Sequence, residues 1–343
     1  MSRRVRIALA VAFVLATAVL LAWFKLHQPR ILILHSYDPE YAWTRDINVG
    51  LHRELDSKLR YQVHWHYMNT KNNPDEGYAR RAGVVARRAL DTLKPDLVIA
   101  VDDDAQEYVV QDLVNDPHIA IVFAGINGAI EPYGYDKAKN VTGILERKPL
   151  HDLRDSLAAM RLRGAPLGRR LLILGDRSGS VLADVVEIEQ ADWKPFRLAG
   201  TRLADNFEEW QAAVRDAPRE ADAIIVTNYR RLYRDASRTE RVPAAEVVRW
   251  TEENSKLPLV GIAGSFVEDG GMFALGASGF EQGNVVGRMA IRILERQAKP
   301  GDIPVQQPRQ FIVYMRRHMM HERGVELPTL YESFARATNN YLD

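Results

Sequence analysis

Short unbroken apolar runs alternate along this chain with longer stretches in which apolar side chains return every third or fourth position. The first kind reads as buried strand, the second as amphipathic helix. Strands are expected at 31–34, 61–68, 96–101 and 119–124, with helices at 45–59, 76–94 and 105–113 between them. Thr44 and Asp46 offer helix-start chemistry ahead of Ile47, Val49 and Leu51, and Pro95 stops the second helix. The pattern lapses over 129–140, and 141–146 looks like an extended crossing strand. A second series then begins. Helices at 150–162, 181–190, 207–214 and 244–257 alternate with strands at 169–175, 196–198, 221–227 and 258–263. Two more extended segments, 272–276 and 310–315, stand on either side of a strong helix at 280–297, and a charged, partly helical tail follows from Arg316. Continuously apolar strands joined through helices by short loops predict parallel sheets with helices on both faces.

In open sheets of this kind, ligands collect at the carboxyl ends of the strands. The polar residues concentrate there: Ser36 and Tyr37, Asp102 to Asp104, Gly125 and Asn127 in the first series; Asp176 and Arg177, Asn228 and Tyr229, Gly264 and Ser265 in the second. Turns need Asp, Asn and Gly in any case. Six such ends on two successive series nevertheless predict two facing walls of one cleft. Tyr37 and Trp43 offer stacking surfaces for a flat ligand, although Trp43 serves equally well to pack its loop. Thr44, with helix amides behind it, suits a ligand carboxylate. Three adjacent carboxylates cannot all enter one site, so one of Asp102 to Asp104 is expected to cap a helix and another to face a ligand ammonium, ahead of magnesium or calcium.

Residues 1–29 are a different kind of segment. Arg3, Arg4 and Arg6 precede an 18-residue apolar run from Ile7 to Phe24, closed by Lys25, His27 and Arg30. That is close to a bilayer span, with its basic end on the cytoplasmic side and the bulk of the chain outside. It reads as an uncleaved signal anchor or as a cleaved signal peptide. Ala16-Thr17-Ala18 has the spacing of a cleavage site but lies inside the apolar run. Either reading exports the folded part.

Composition narrows the function classes. Lys plus Arg is 46 and Asp plus Glu 45, a balance that gives no argument for nucleic acid or an acidic partner. The absence of cysteine excludes disulfides, thiolate metal sites, a cysteine nucleophile and a lipid-modified N-terminal Cys. His64 and His66 share one side of a strand, and His318 and His321 one side of a helix, but neither pair has an identifiable third zinc ligand. No G-x-S-x-G elbow, Walker A loop or G-x-G-x-x-G is present, so neither an enzyme nor a cofactor is expected.

An ordered set of segments carries a family resemblance: Leu34-His-Ser-Tyr37 with Trp43, Asp102-Asp-Asp104, Phe123-Ala-Gly-Ile-Asn127, Asn140-Val-Thr-Gly143 with Glu146, Gly270-Gly271 with Gly279-Phe-Glu-Gln-Gly283, and Leu327-Pro328. The chain from about residue 30 to 328 resembles the substrate-binding proteins of ABC transporters with the type I periplasmic binding protein fold. It is most like the branch that also serves as the sensory domain of membrane histidine kinases and diguanylate cyclases. The resemblance implies two Rossmann-like lobes joined by a three-strand hinge that closes on a small solute. Lobe 1 is expected at 30–143 plus 278–309, lobe 2 at 144–277 plus 310–343. It implies ligand contacts from Ser36, Tyr37, Asp103, Asp104 and Asn127, with weaker matches at Asp176, Asn228 and Gly264-Ser265. It implies an amino-acid-like ligand, aromatic ones included. The partner is then the membrane permease of an ABC transporter. With almost nothing on the cytoplasmic side and no output domain, the alternative is a membrane-anchored sensory subunit that signals to a partner kinase or cyclase.

Overall fold

The computed structural model describes residues 3–26, 28–56, 60–73 and 75–343. His27, the expected helix end at 57–59 and Pro74 of the following loop lie outside the described residues. The chain divides into two compact units, the first ending at Leu145 and resumed over Gly279–Gln306, the second Glu146–Ser278 and Gln307–Asp343.

In chain order, unit 1 contains α1 (Arg3–Leu26), β1 (Arg30–His35), α2 (Ala42–Leu55), β2 (Gln62–Tyr67), α3 (Glu76–Leu93), β3 (Leu97–Val101), α4 (Asp103–Tyr108), β4 (Ala120–Ile126) and β5 (Val141–Leu145). Unit 2 follows with α5 (Leu150–Ala159), β6 (Arg161–Leu162), β7 (Ala165–Pro166), β8 (Arg170–Asp176), α6 (Gly179–Gln190), β9 (Arg197–Ala204), α7 (Phe207–Asp216), β10 (Ala223–Val226), α8 (Ala244–Asn254), β11 (Leu259–Gly261), α9 (Ser265–Glu268) and β12 (Phe273–Ala277). The chain returns to unit 1 for α10 (Gly279–Leu294). It ends in unit 2 with β13 (Phe311–Arg316), α11 (Arg317–Arg323), β14 (Val325–Glu326), α12 (Thr329–Ala337) and β15 (Tyr341–Leu342).

Sheet 1 has the order β2-β1-β3-β4-β5 and is parallel throughout. Alternate side chains of β1 serve opposite faces, as strand geometry requires. Ile31 and Ile33 pack with Ile47 and Leu51 of α2 and with Val286 and Met289 of α10, whereas Leu32 and Leu34 pack with Ala86 and Leu90 of α3. Helices α2 and α10 touch backbone to backbone. A Cβ added to Gly283 would lie 2.1 Å from the Ile47 carbonyl, so only glycine permits this crossing. Helix α1, also in unit 1, carries a 22-residue apolar stretch, Val5–Leu26, of mean hydropathy 2.6 that is exposed along its length. At 1.5 Å per residue it is about 33 Å long, the thickness of a bilayer's hydrocarbon core.

Sheet 2 has the order β15-β13-β12-β11-β10-β8-β9. Its pairs are parallel as expected, with the exception that β13 runs antiparallel to β12. The reversal follows from connectivity: between β12 and β13 the chain leaves for α10 in unit 1 and comes back. The expected extended segments at 141–146, 272–276 and 310–315 are β5, β12 and β13, each a hydrogen-bonded sheet member beside a point where the chain changes unit. The changes fall at 145/146, 278/279 and 306/307, against expected boundaries at 143/144, 277/278 and 309/310. Unit 1 keeps the extra residues at the first point because Leu145 N–H donates to Gln306 O and Gln306 N–H to Gly143 O.

Several helices are shorter than periodicity implied. Helix α2 begins at Ala42, so Thr44 and Asp46 lie inside it rather than at its start. Asp38 organises the entry instead, its Oδ1 accepting from the Glu40 and Tyr41 amides at 3.0 and 3.1 Å. Helix α8 stops at Asn254, where the Arg323 guanidinium takes the carbonyls of Glu252, Ser255 and Leu257.

Candidate functional site

Because sheet 1 is parallel, the carboxyl ends of its strands share one edge, and most of the chain's expected site residues in unit 1 stand there. Ser36 follows β1 directly and is fully buried. Its Oγ donates to Val101 O and accepts from the Ala105 amide, both at 2.8 Å, tying the end of β1 to β3 and to the first turn of α4. Backbone groups use that hydroxyl, and among the described residues no base bonds to it.

Tyr37 is half-buried, its ring edge-on to Tyr41 at 5.5 Å. The Lys71 ammonium stands 4.8 Å from the Tyr37 ring centre and 5.3 Å from that of Tyr41. Burial raises the Tyr37 phenol well above its ordinary range, and the charges of Asp102, Asp103 and Asp104 raise it further. Tyr37 therefore stays a neutral hydrogen-bonding group.

The three aspartates after β3 divide their work. Asp102 is buried with φ +66°, and its Oδ1 accepts from Trp43 Nε1 at 2.8 Å. It stands at the N-cap of α4 without a side-chain cap bond, so the expected capping role is replaced by a bond to an indole. Opposite it Gly125 has φ +73°, and a Cβ there would meet Asp102 Oδ1 at 2.6 Å. Asp103 receives Asn127 Nδ2 on Oδ2 at 3.0 Å and the Tyr133 hydroxyl on Oδ1 at 2.9 Å. Burial, and then Asp103, push the Tyr133 phenol far up. Asp104 is half-buried and has no hydrogen-bond or ion-pair partner among the described residues.

Beneath this edge two buried glutamines serve as rails. Gln106 Nε2 donates to Ala100 O and Asp102 O, while its Oε1 accepts from Tyr135 OH. Gln282 of α10 accepts from the Gly125 amide and donates to Leu145 O. Sequence reasoning did not single out Gln106, Tyr133 or Tyr135. The available signal was a glutamine placed among apolar helix positions.

In unit 2 the expected residues are mostly occupied by their own loops. Asp176 is buried, with Oδ1 accepting from the Ser178 amide and Oδ2 from the Arg231 amide. Asn228 Oδ1 accepts from the Tyr229 and Arg230 amides. The Tyr229 ring lies in the core, only 1% exposed, edge-on to Trp210 and Phe266, and its hydroxyl donates to Asp269. Ser265 opens α9 and is half-buried. Among the described residues no three His, Asp or Glu side chains gather as a metal site, and the Asp102 to Asp104 run and both histidine pairs fall within that statement.

The edge of sheet 1 thus offers half-buried carboxylates, an amide, phenols and an indole on a rigid parallel sheet. That donor and acceptor set suits a small solute carrying a positive group and a flat apolar part.

A family model described as ABC transporter substrate binding protein matches residues 33–335. No curated protein matches the chain. Among solved structures, a conserved domain protein from Vibrio cholerae O1 biovar El Tor superposes with a TM-score of 0.65 at 15% identity, covering 92% of this chain and 100% of that one. An ABC domain in complex with L-Trp from Streptococcus pneumonia gives 0.62 at 17% identity, over 91% and 100% of the two chains. A ligand-free, open substrate binding protein with adhesive properties from Clostridium difficile gives 0.63 at 16%, over 88% and 96%.

Proposed function

This chain belongs to the ABC transporter substrate binding proteins and has the type I periplasmic binding protein fold, and from that premise we propose that it captures a small amino-acid-like solute outside the cytoplasm for the permease of an ABC transporter. Asp104 carries the amine part of this reading. A half-buried carboxylate with no hydrogen-bond or ion-pair partner among the described residues, at the carboxyl edge of a parallel sheet, is poised for a solute ammonium. Asp103 with Asn127, the Tyr37 hydroxyl and the Trp43 ring are the remaining solute contacts of unit 1, and Ser36 holds their loop in place. On unit 2, Asn228 and Ser265 stand at strand ends as candidate contacts, while buried Asp176 and Tyr229 hold their loops in place. The complex with L-Trp among the similar structures supports an amino-acid class that extends to aromatic members. The protein binds and releases its solute without turning it over, and α1 holds it in the inner membrane.

A second reading has the same solute site reporting its occupancy to a partner kinase or cyclase. The exposed 22-residue apolar stretch of α1 favours it, because a retained span fixes a protein beside a membrane partner.

A thermal-shift screen of the purified protein against amino acids, simple amines, purines and sugars tests the solute class. An amino acid is expected to raise the melting temperature, and Asp104→Asn to remove most of that shift without changing the unliganded melt. A shift from sugars or purines alone, or full amino-acid binding by Asp104→Asn, would refute it.

A further inference from the structure

The carboxyl edge of sheet 1 holds the candidate solute site; the amino edge carries features that site does not use. Helix α1 ends at Leu26 and β1 begins at Arg30, so the tether is residues 27–29. Three residues span at most about 10 Å. Sheet 1 being parallel, the tether delivers the chain to an edge made of the amino ends of all five strands. Backbone bonds run along that edge: Asp96 N–H to Arg30 O at 2.9 Å, Ala120 N–H to Asp96 O at 3.1 Å, Ile121 N–H to Asn140 O at 2.8 Å. Gly301 N–H to Lys139 O, at 3.1 Å, extends the row. On the other flank Gln62, the first residue of β2, donates from Nε2 to Lys25 O at 2.6 Å, which fastens the end of α1 to the same edge.

A groove of about 700 Å³ opens there, lined among others by Asp96, Asp116, His118, Lys137, Lys139 and Lys299. Both carboxylates accept from backbone: Asp96 Oδ2 from the Arg30 amide and Asp116 Oδ1 from the His118 amide, each at 2.8 Å. The lysines are exposed. Lys139 and Lys299 have no ion-pair partner among the described residues, and Lys137, 90% exposed, comes only within 4.0 Å of Asp136. Three ammonium groups therefore stand in water on the edge that a short tether keeps next to α1.

We propose that this amino edge rests on the bilayer surface and that the groove takes the phosphate groups of anionic phospholipids, with Lys137, Lys139 and Lys299 as the cations. The proposal rests on the reading of α1 as a retained membrane helix. Docking would turn the carboxyl edge, and the solute site with it, away from the lipid by the length of the strands, roughly 20 Å.

The chain has no cysteine, so Gln297→Cys, two residues from Lys299, provides a single site for a fluorophore, and Glu40→Cys provides one on the opposite edge. The full chain is reconstituted in vesicles of phosphatidylcholine, or of phosphatidylcholine with phosphatidylglycerol, each with a headgroup-borne quencher. Anionic vesicles are expected to quench the label at 297 several-fold more than neutral ones. That difference should vanish in Lys137→Glu/Lys139→Glu/Lys299→Glu and at high salt, while the label at 40 responds in neither case. Equal quenching by both vesicle types, or a difference that survives the triple substitution, overturns the docking alone. A protein that fails to float with neutral vesicles overturns the membrane anchor and the docking together.

Discussion

The indole Nε1 of Trp43 donates to Oδ1 of Asp102 at 2.8 Å, joining the first turn of α2 to the end of β3. The acceptor is buried and held at φ +66°. Removing a donor from a buried carboxylate costs more than the bond contributes, because water does not reach the oxygen to replace it. Trp43→Phe, which keeps an aromatic ring, is expected to lower unfolding stability by about 1–3 kcal/mol. Gly125→Ala should lower it further, since its Cβ would stand 2.6 Å from the same oxygen and its φ is +73°. Urea melts of the two variants check both, and parental stability in Gly125→Ala would mean that Asp102 does not hold this position.

Lys148 tests a buried charge cluster just past the first point where the chain changes unit. Its Nζ lies 2.6 Å from Glu146 and 3.8 Å from Asp184, and all three side chains are nearly buried. Burial alone would lower the ammonium's pKa, but Asp184 and Glu146 outweigh it and hold the group above its ordinary range. Lys148→Met takes a buried cation away from both Glu146 and Asp184. A loss of about 3–5 kcal/mol is expected, most of it recovered in Lys148→Met/Glu146→Gln/Asp184→Asn. A triple variant no more stable than the single one would locate the cost in packing instead.

The alternation of strand and helix was legible because burial of whole strands writes itself as unbroken apolar runs such as Ile31 to Leu34 and Leu97 to Val101. The strand-end polar residues were legible for the same reason, as abrupt interruptions of those runs. What each one does was not. Asp102, Asp103 and Asp104 are identical in sequence and differ in what reaches them: Asp102 takes an indole from α2, Asp103 an amide and a phenol from after β4, and Asp104 no hydrogen bond among the described residues. Gln282 stayed hidden because the carbonyl it serves, that of Leu145, lies far away in sequence, and Gln106 because its partners at Ala100, Asp102 and Tyr135 are brought round it only by the fold. Tyr229 looked like a ligand contact because it follows a strand, yet its ring turns inward onto Trp210 and Phe266. The antiparallel β13 was hidden too, since direction is set by where the chain has been between two strands.

His35, the last residue of β1, is fully buried and stacked on Tyr67 at 5.2 Å with planes 10° apart. Burial, opposed weakly by Asn48, lowers its pKa to about 3. The unfolded chain takes up a proton near pH 6.5, and the native chain does not until about 3. Stability from this group is therefore complete above pH 6.5 and falls as pH drops below it, by about 1.4 kcal/mol per unit. His35→Phe keeps the stack and removes the titration. Its unfolding free energy should decline less steeply below pH 6.5 than that of the parent, and an unchanged acid limb in urea melts would show that His35 does not titrate in this way.

Glu252 of α8 works in the opposite direction. It is 4% exposed; Met272 N–H donates to its Oε1 at 2.9 Å and Arg323 Nη1 lies 3.1 Å from its Oε2. Burial raises its pKa to about 7, against the lowering effect of Arg323, the Met272 amide and Arg316. The unfolded chain releases this proton near 4.5 while the native chain holds it to about 7, so stability falls as pH rises across that window and is flat above it. Between pH 4.5 and 6.5 the two slopes have opposite signs and nearly cancel. Glu252→Gln keeps an acceptor for the Met272 amide and removes the falling slope. The variant's stability should therefore rise more steeply, or fall less, with pH across 4.5 to 6.5 than the parent's, and His35→Phe should show the reverse difference. Because His35 belongs to unit 1 and Glu252 to unit 2, calorimetry that resolves separate transitions should see acidification lower the first and raise the second. Two transitions that move together with pH would show that burial does not set these two groups apart.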